Sequence, residues 1–321
     1  MRASLQGESP DRMPLALWRR FPLAERSPQD LAAATWAFAQ ELGLDLVRLA
    51  PSDLYAIEGW GAEVVYPRKE EKLPTLKRWV IQEPHQWLDL LSLDLASGAL
   101  GREMQAIREL RTLARGQTPF VMTVFSPLTV AYKLAGDAVL EHLRRAPKAL
   151  HFGLAIIAET MARVARQALA QRADGLFFIT QLASSAHLTR EEYETFGVHY
   201  DLMVLDPLRH TPAITVLHLH GPDPFFDLVN RYPVQAVNWN HHTTGPSLAE
   251  ARRLTDKTLL GGLDRDLLRE GPAQAIADQV RQVVREAGSQ RFILAPSRIP
   301  YLDTPQEHFL AVREALHSLC G

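Results

Sequence analysis

The sequence predicts an α/β chain folded as a single (β/α)8 TIM barrel over residues 1–321, and three observations predict it. Eight short apolar or β-branched runs alternate with longer helical patterns. Those runs lack the in–out alternation of half-exposed strands, so helices must cover both faces. No GxGxxG or GxxxxGKS/T turn follows any of them, which removes the main requirement of an open, doubly wound sheet. A length of 321 residues suits one such barrel.

In chain order the predicted strands are PLALWR (14–19), LDLVRLA (44–50), PFVMTVF (119–125), DGLFFIT (174–180), AITVLHLH (213–220), QAVNW (235–239), TLLGGL (258–263) and RFILAP (291–296). Between them, SPQDLAAATWAFAQELG (27–43) opens on Ser-Pro and closes on Gly, the signature of a capped helix. Similar starts mark 187–201 and 304–319. The stretch 98–116 reads as one helix, and 135–173 as two, with Pro147 as the break.

Composition excludes several function classes. Hydrophobic residues make up 46% and charged residues 22%, so the chain can bury a large core. Lys+Arg 35 against Asp+Glu 37 gives a net charge of −2, which offers no overall field for a nucleic acid or an anionic membrane. A single cysteine, Cys320, rules out intrachain disulfides and thiolate-rich metal sites and suits a reducing compartment. With no apolar signal segment at its start and no run near the roughly 20 apolar residues of a membrane span, the chain reads as cytoplasmic.

A barrel of this kind places its active site at the C-terminal ends of the strands. Those positions carry Trp18, Arg19 and Arg20; Asp53 and Tyr55; Gln181; His218 and His220; Trp239, Asn240 and His241; and Arg298. Guanidinium groups suit bidentate binding of carboxylates. His218 and His220 alternate on a strand and so face one way, which makes a metal site conceivable if His241, His242, Asp223 or Glu58 adds a ligand. A packed core histidine is the plainer reading of His218, and Trp239 is as suited to packing as to stacking.

In order and at suitable spacing, RMPLALWRR, LGLDLVRLAPSDLYAIEGWGAEV, FSPLTVAYKLAG, LTREEYETFG, VLHLHG, LLGGLDRDLL and FILAPSRIPYLDTPQEHF resemble the uroporphyrinogen decarboxylase superfamily. One branch removes carboxylate groups from a tetrapyrrole without a cofactor. The resemblance puts Arg19 at the first substrate arginine and Asp53 at the carboxylate that contacts pyrrole nitrogens. Lys133 falls near a pocket tyrosine, and Ser297-Arg298 stands where a late histidine belongs. The other branch transfers methyl groups between corrinoid proteins and thiols, using zinc held by His-x-Cys-Gly and a later Cys. Here that motif reads His218-Leu219-His220-Gly221 and the later Cys is absent.

The resemblance therefore implies a lyase, a uroporphyrinogen decarboxylase-like enzyme for a carboxylated tetrapyrrole or related carboxylate, with no cofactor and a homodimer as the expected assembly. Asp53 would stabilise a protonated intermediate, with Arg19, Arg20 and Arg298 orienting carboxylates and His220 or His241 delivering the proton. Trp18, Tyr55, Gln181, Trp239 and Asn240 would line the substrate. The alternatives are a methyltransferase with zinc on His218 and His220 and a corrinoid protein as partner, and a non-catalytic tetrapyrrole- or corrinoid-binding protein.

Overall fold

A computed structural model describes residues 1–288 and 290–319; Cys320 lies outside the described residues. Nine strands are named in chain order: β1 (Val47–Leu49), β2 (Val64–Val65), β3 (Thr75–Leu76), β4 (Phe120–Phe125), β5 (Gly175–Thr180), β6 (Ile214–Leu219), β7 (Ala236–Trp239), β8 (Thr258–Leu263) and β9 (Phe292–Pro296). Seven form one curled sheet in the order β1-β4-β5-β6-β7-β8-β9, every neighbouring pair parallel. Every residue of these seven is buried, as expected of strands covered by helices on one face and core on the other.

The predicted first strand, 14–19, behaves differently. It contributes a single parallel bridge, Leu15 to Leu294. Ala16 N–H donates to the Leu294 carbonyl at 2.9 Å, and Asp45 N–H donates to the Leu15 carbonyl at 2.8 Å. The segment thus bonds to β9 on one side and to the approach of β1 on the other. Pro14 has no N–H to give, which shortens the ladder at its start.

Helix ends follow the sequence signals. Ser27 accepts the Asp30 N–H ahead of Pro28–Leu42, and Gly43 ends that helix in the left-handed region at φ 62°. Pro147 separates Ala138–Arg145 from Pro147–Ala170. The stretch 187–201 breaks into short turns, with a π-helical segment at Glu194–Val198. The antiparallel pair β2/β3 and the short helix Arg2–Gln6 were not anticipated. No helix among the described residues is long and apolar enough to cross a membrane.

Close packing is strictest where β5 meets β6. A Cβ added at Gly175 would sit 1.8 Å from the Ile214 carbonyl oxygen, backbone that cannot swing away. Gly175→Ala is therefore expected to lose about 3 kcal/mol or more in urea unfolding, at the upper end of overpacking costs.

Candidate active site

On an extended segment, neighbouring side chains point to opposite faces. At 14–20 this sends Trp18 and Arg20 inward and Arg19 outward. Trp18 meets the edge of Phe177 at a 5.3 Å centroid separation. The Arg20 guanidinium, 5% exposed, pairs with Glu25 at 2.5 Å through Nε and with Asp53 at 3.0 Å through Nη1. Its Nη2 is buried with no hydrogen-bond partner. Arg19 instead donates to the Leu302 carbonyl at 2.9 Å and reaches Gln306 on the C-terminal helix Gln306–His317. Of the two arginines expected to bind substrate, Arg20 is the one beside Asp53, while Arg19 lies against the C-terminal helix.

Asp53 follows β1 on the turn Pro51-Ser52, and about half of its side chain is open to solvent. Burial alone would raise its pKa, but Arg20, Lys133 and Arg48, with His220 beyond them, hold it below the ordinary carboxylate value. Arg48 lies in the middle of β1 with its Nε donating to Thr123 at 3.0 Å and its guanidinium carbon 4.0 Å from the centre of the Phe177 ring. Burial lowers it to about 9 against the opposing pull of Asp53. Lys133 comes from the helix Pro127–Ala135 after β4, its ammonium 4.6 Å from the Phe125 ring centre. Burial lowers its pKa as well, partly offset by Asp53.

The far side of the mouth is a cavity of about 250 Å³ lined by His218, Leu219, His220, Gly221, Pro222, Asn240, Thr244 and Arg298. His218 pairs through Nδ1 with Asn238 Oδ1 at 2.6 Å and stacks on Phe177. Asn240 donates to Thr243 Oγ1 at 2.5 Å. Gln181 donates its backbone N–H to Thr129 Oγ1. Larger hollows lie elsewhere, including one of about 580 Å³ around Pro119 and Ile214 at the N-terminal strand ends, away from the groups that could do chemistry.

Three expected site residues have a polar side-chain atom engaged by the backbone. Tyr55 is fully buried with its hydroxyl on the Thr123 carbonyl at 2.9 Å. Trp239 is fully buried, its indole N–H on the Pro246 carbonyl at 2.8 Å. His241 accepts the Gly262 N–H at 2.9 Å through Nε2, so that nitrogen carries no proton. Burial and the neighbouring His242 lower His241 to about 3, and burial with Arg298 lowers His220 to about 4. Both rings are therefore neutral at pH 7, with pKa values below the ordinary imidazole range from which a proton-donor role was expected.

This has a consequence for acid stability. The unfolded chain protonates these rings near pH 6.5 while the folded chain resists, so stability is lost as pH falls below 6.5. His241→Gln keeps an acceptor for Gly262 and removes one such proton. It is expected to flatten the loss by about 1.4 kcal/mol per pH unit between pH 6 and 4, read by urea unfolding.

The same groups bear on zinc. Among the described residues no cluster of three or more His, Cys, Asp or Glu could hold a metal ion. The charges of Arg48 and Arg298 bear on His218, and at His220 that of Arg298 outweighs the opposite pull of Asp53, which opposes a divalent cation between them. The residues do not fit the group that the methyl-transferring branch uses.

Sequence reasoning missed Arg48 and Glu25 and left Lys133 without a role. The available signal was a charge inside an apolar run, Arg48 in LDLVRLA and Lys133 in LTVAYKLAG.

The chain is 22% identical over 202 residues to the methylcobamide:CoM methyltransferase MtbA of Methanosarcina acetivorans, covering 63% of this chain and 59% of that protein. It is 25% identical over 246 residues to the uroporphyrinogen decarboxylase of an Enterobacter species, covering 72% and 67%. The chain thus spans about three-fifths to two-thirds of these curated relatives. Among solved structures, a methyltransferase from Methanosarcina mazei superposes with a TM-score of 0.86 at 20% identity, covering 99% of this chain and 97% of that one. A B12-independent methionine synthase from a Shewanella species superposes at 0.64 with 12% identity, covering 97% and 95%. A sequence profile of the family described as uroporphyrinogen decarboxylase (URO-D) matches residues 2–319, nearly the whole chain, and the protein belongs to that family.

Proposed function

We propose that this chain is a lyase of its family that removes carbon dioxide from a carboxylated substrate, a tetrapyrrole or a related carboxylate, within one barrel domain spanning 1–321. One observation carries the reading: Arg20, fixed by Glu25 and Asp53, keeps its buried Nη2 unpartnered beside the mouth where Asp53 is open. An arginine held this way offers a carboxylate a preorganised, charge-assisted hydrogen bond.

Decarboxylation leaves an electron pair that a protonated pyrrole or similar sink must take up. Asp53, held ionised by its cationic neighbours, stabilises that positive charge from a fixed position. Arg298 at the rim orients a further carboxylate. With His220 and His241 neutral, the proton reaches the substrate from water at the open side of Asp53. The reaction needs no cofactor on this reading.

Anaerobic incubation with uroporphyrinogen and a panel of carboxylated pyrroles, with carbon dioxide as the readout, tests this. Release from at least one of them, lost in Asp53→Asn, is expected; no release from any would overturn the reading.

The methyltransferase alternative draws on the match to the Methanosarcina mazei methyltransferase and on His218-Leu219-His220-Gly221. It requires a metal site that the residues do not supply. Protein purified without chelator is expected to carry well below one zinc per chain by elemental analysis. Stoichiometric zinc, lost in His220→Ala, would reverse the preference and bring a corrinoid protein in as the partner.

A further inference from the structure

Three buried cations surround Asp53: Arg20, Arg48 and Lys133, at 5%, 8% and 8% exposure. Two buried or half-buried carboxylates answer them, Glu25 and Asp53, and both are engaged by Arg20. The Lys133 ammonium makes no hydrogen bond and no ion pair within 4 Å among the described residues; its near neighbour is the face of Phe125. Arg20 Nη2 is likewise unpartnered, and the charges of Arg20 and Lys133 repel one another across the site. A buried ammonium without an ion-pair partner is costly, and a buried N–H without an acceptor adds to that cost, so the two around one carboxylate are a poor arrangement unless something negative completes it.

We propose that Lys133 Nζ and Arg20 Nη2 are the two arms of a clamp for one oxyanion group of the ligand, a carboxylate under the reading given above, on which this assignment rests. The ligand's charge supplies the anion that the cluster lacks. Arg20 fixes the group's orientation through a planar nitrogen, and Lys133 adds a mobile point charge. Asp53 remains beside the clamp to face the part of the ligand that becomes positive. Lys133 in this role selects for a ligand with an acidic group at that position, a preference that a neutral side chain there would not give.

Malonate and inorganic phosphate serve as probes, with thermal unfolding and titration calorimetry as readouts that do not depend on turnover. The parent is expected to bind one malonate per chain and to gain in Tm as malonate is added. Lys133→Met should bind malonate at least tenfold more weakly and show little malonate-dependent rise. Without any anion its Tm should equal or exceed that of the parent, because an uncompensated charge has been removed. A Lys133→Met protein that is less stable than the parent yet gains as much from malonate would make Lys133 a framework residue and overturn the clamp. Tighter binding of phosphate than malonate would overturn the carboxylate assignment. A borohydride-stable adduct of pyruvate on Lys133 would show a neutral, nucleophilic amine instead of an ammonium, and would overturn it too. Carbon dioxide release enters none of these readouts, so failure of the clamp and failure of the decarboxylase reading are separable.

Discussion

Arg20→Met is expected to lose about 3–5 kcal/mol of stability, the cost of stranding Glu25 as a buried carboxylate without its cation. In a chain of this size that lowers Tm by roughly 5–10 °C. Arg19→Ala, one position away, removes a part-buried hydrogen bond to the Leu302 carbonyl rather than a buried ion pair and should cost only about 1 kcal/mol. The two variants together ask which arginine faces the interior. Adding Glu25→Met to Arg20→Met should recover most of the loss, because removing both charges is far cheaper than removing one. Equal effects of the Arg19 and Arg20 substitutions would contradict the inward orientation of Arg20.

Asp53→Asn should act on turnover more than on the fold. The side chain is about half exposed and its single ion pair among the described residues is to Arg20, which keeps Glu25, so Tm should move little. Loss of a fixed charge at the position where charge develops typically costs about 10²–10³ in kcat. Under the decarboxylase reading kcat for carbon dioxide release falls by that factor while KM stays within a few-fold. A fall in KM-dependent binding with kcat intact would make Asp53 a binding residue only.

Much of the architecture was legible because burial on both faces writes itself as apolar runs, and seven of the eight runs became strands of one parallel sheet. The eighth, 14–19, was correct in place but forms only a one-residue bridge, since Pro14 limits its ladder. The pair β2/β3, two residues a strand, is too short to show any alternation. In the site, the parity of an extended segment distinguishes Arg20 from Arg19, a signal that reading the two together as carboxylate-binding residues leaves unused. Trp18, apolar and two residues before Arg20, shares its parity and marks the inward face.

What the sequence could not supply was environment. Imidazoles at 220 and 241 looked like acids near neutrality, but burial, with Arg298 beside His220 and His242 beside His241, keeps them neutral. Tyr55 and Trp239 sat at strand ends yet spend their polar atoms on backbone carbonyls. Arg48 and Lys133 gained meaning only when the fold brought β1 and the helix after β4 around one carboxylate.

The central claim is that Arg20, Arg48 and Lys133 converge on Asp53. Its most direct test is the pH titration of the Asp53 side-chain carboxyl by carbon-13 NMR, assigned by difference against Asp53→Asn. A midpoint clearly below 3.8 is what the convergent cations require. A midpoint at or above that value would mean that the cations do not outweigh burial at Asp53, and would contradict their convergence.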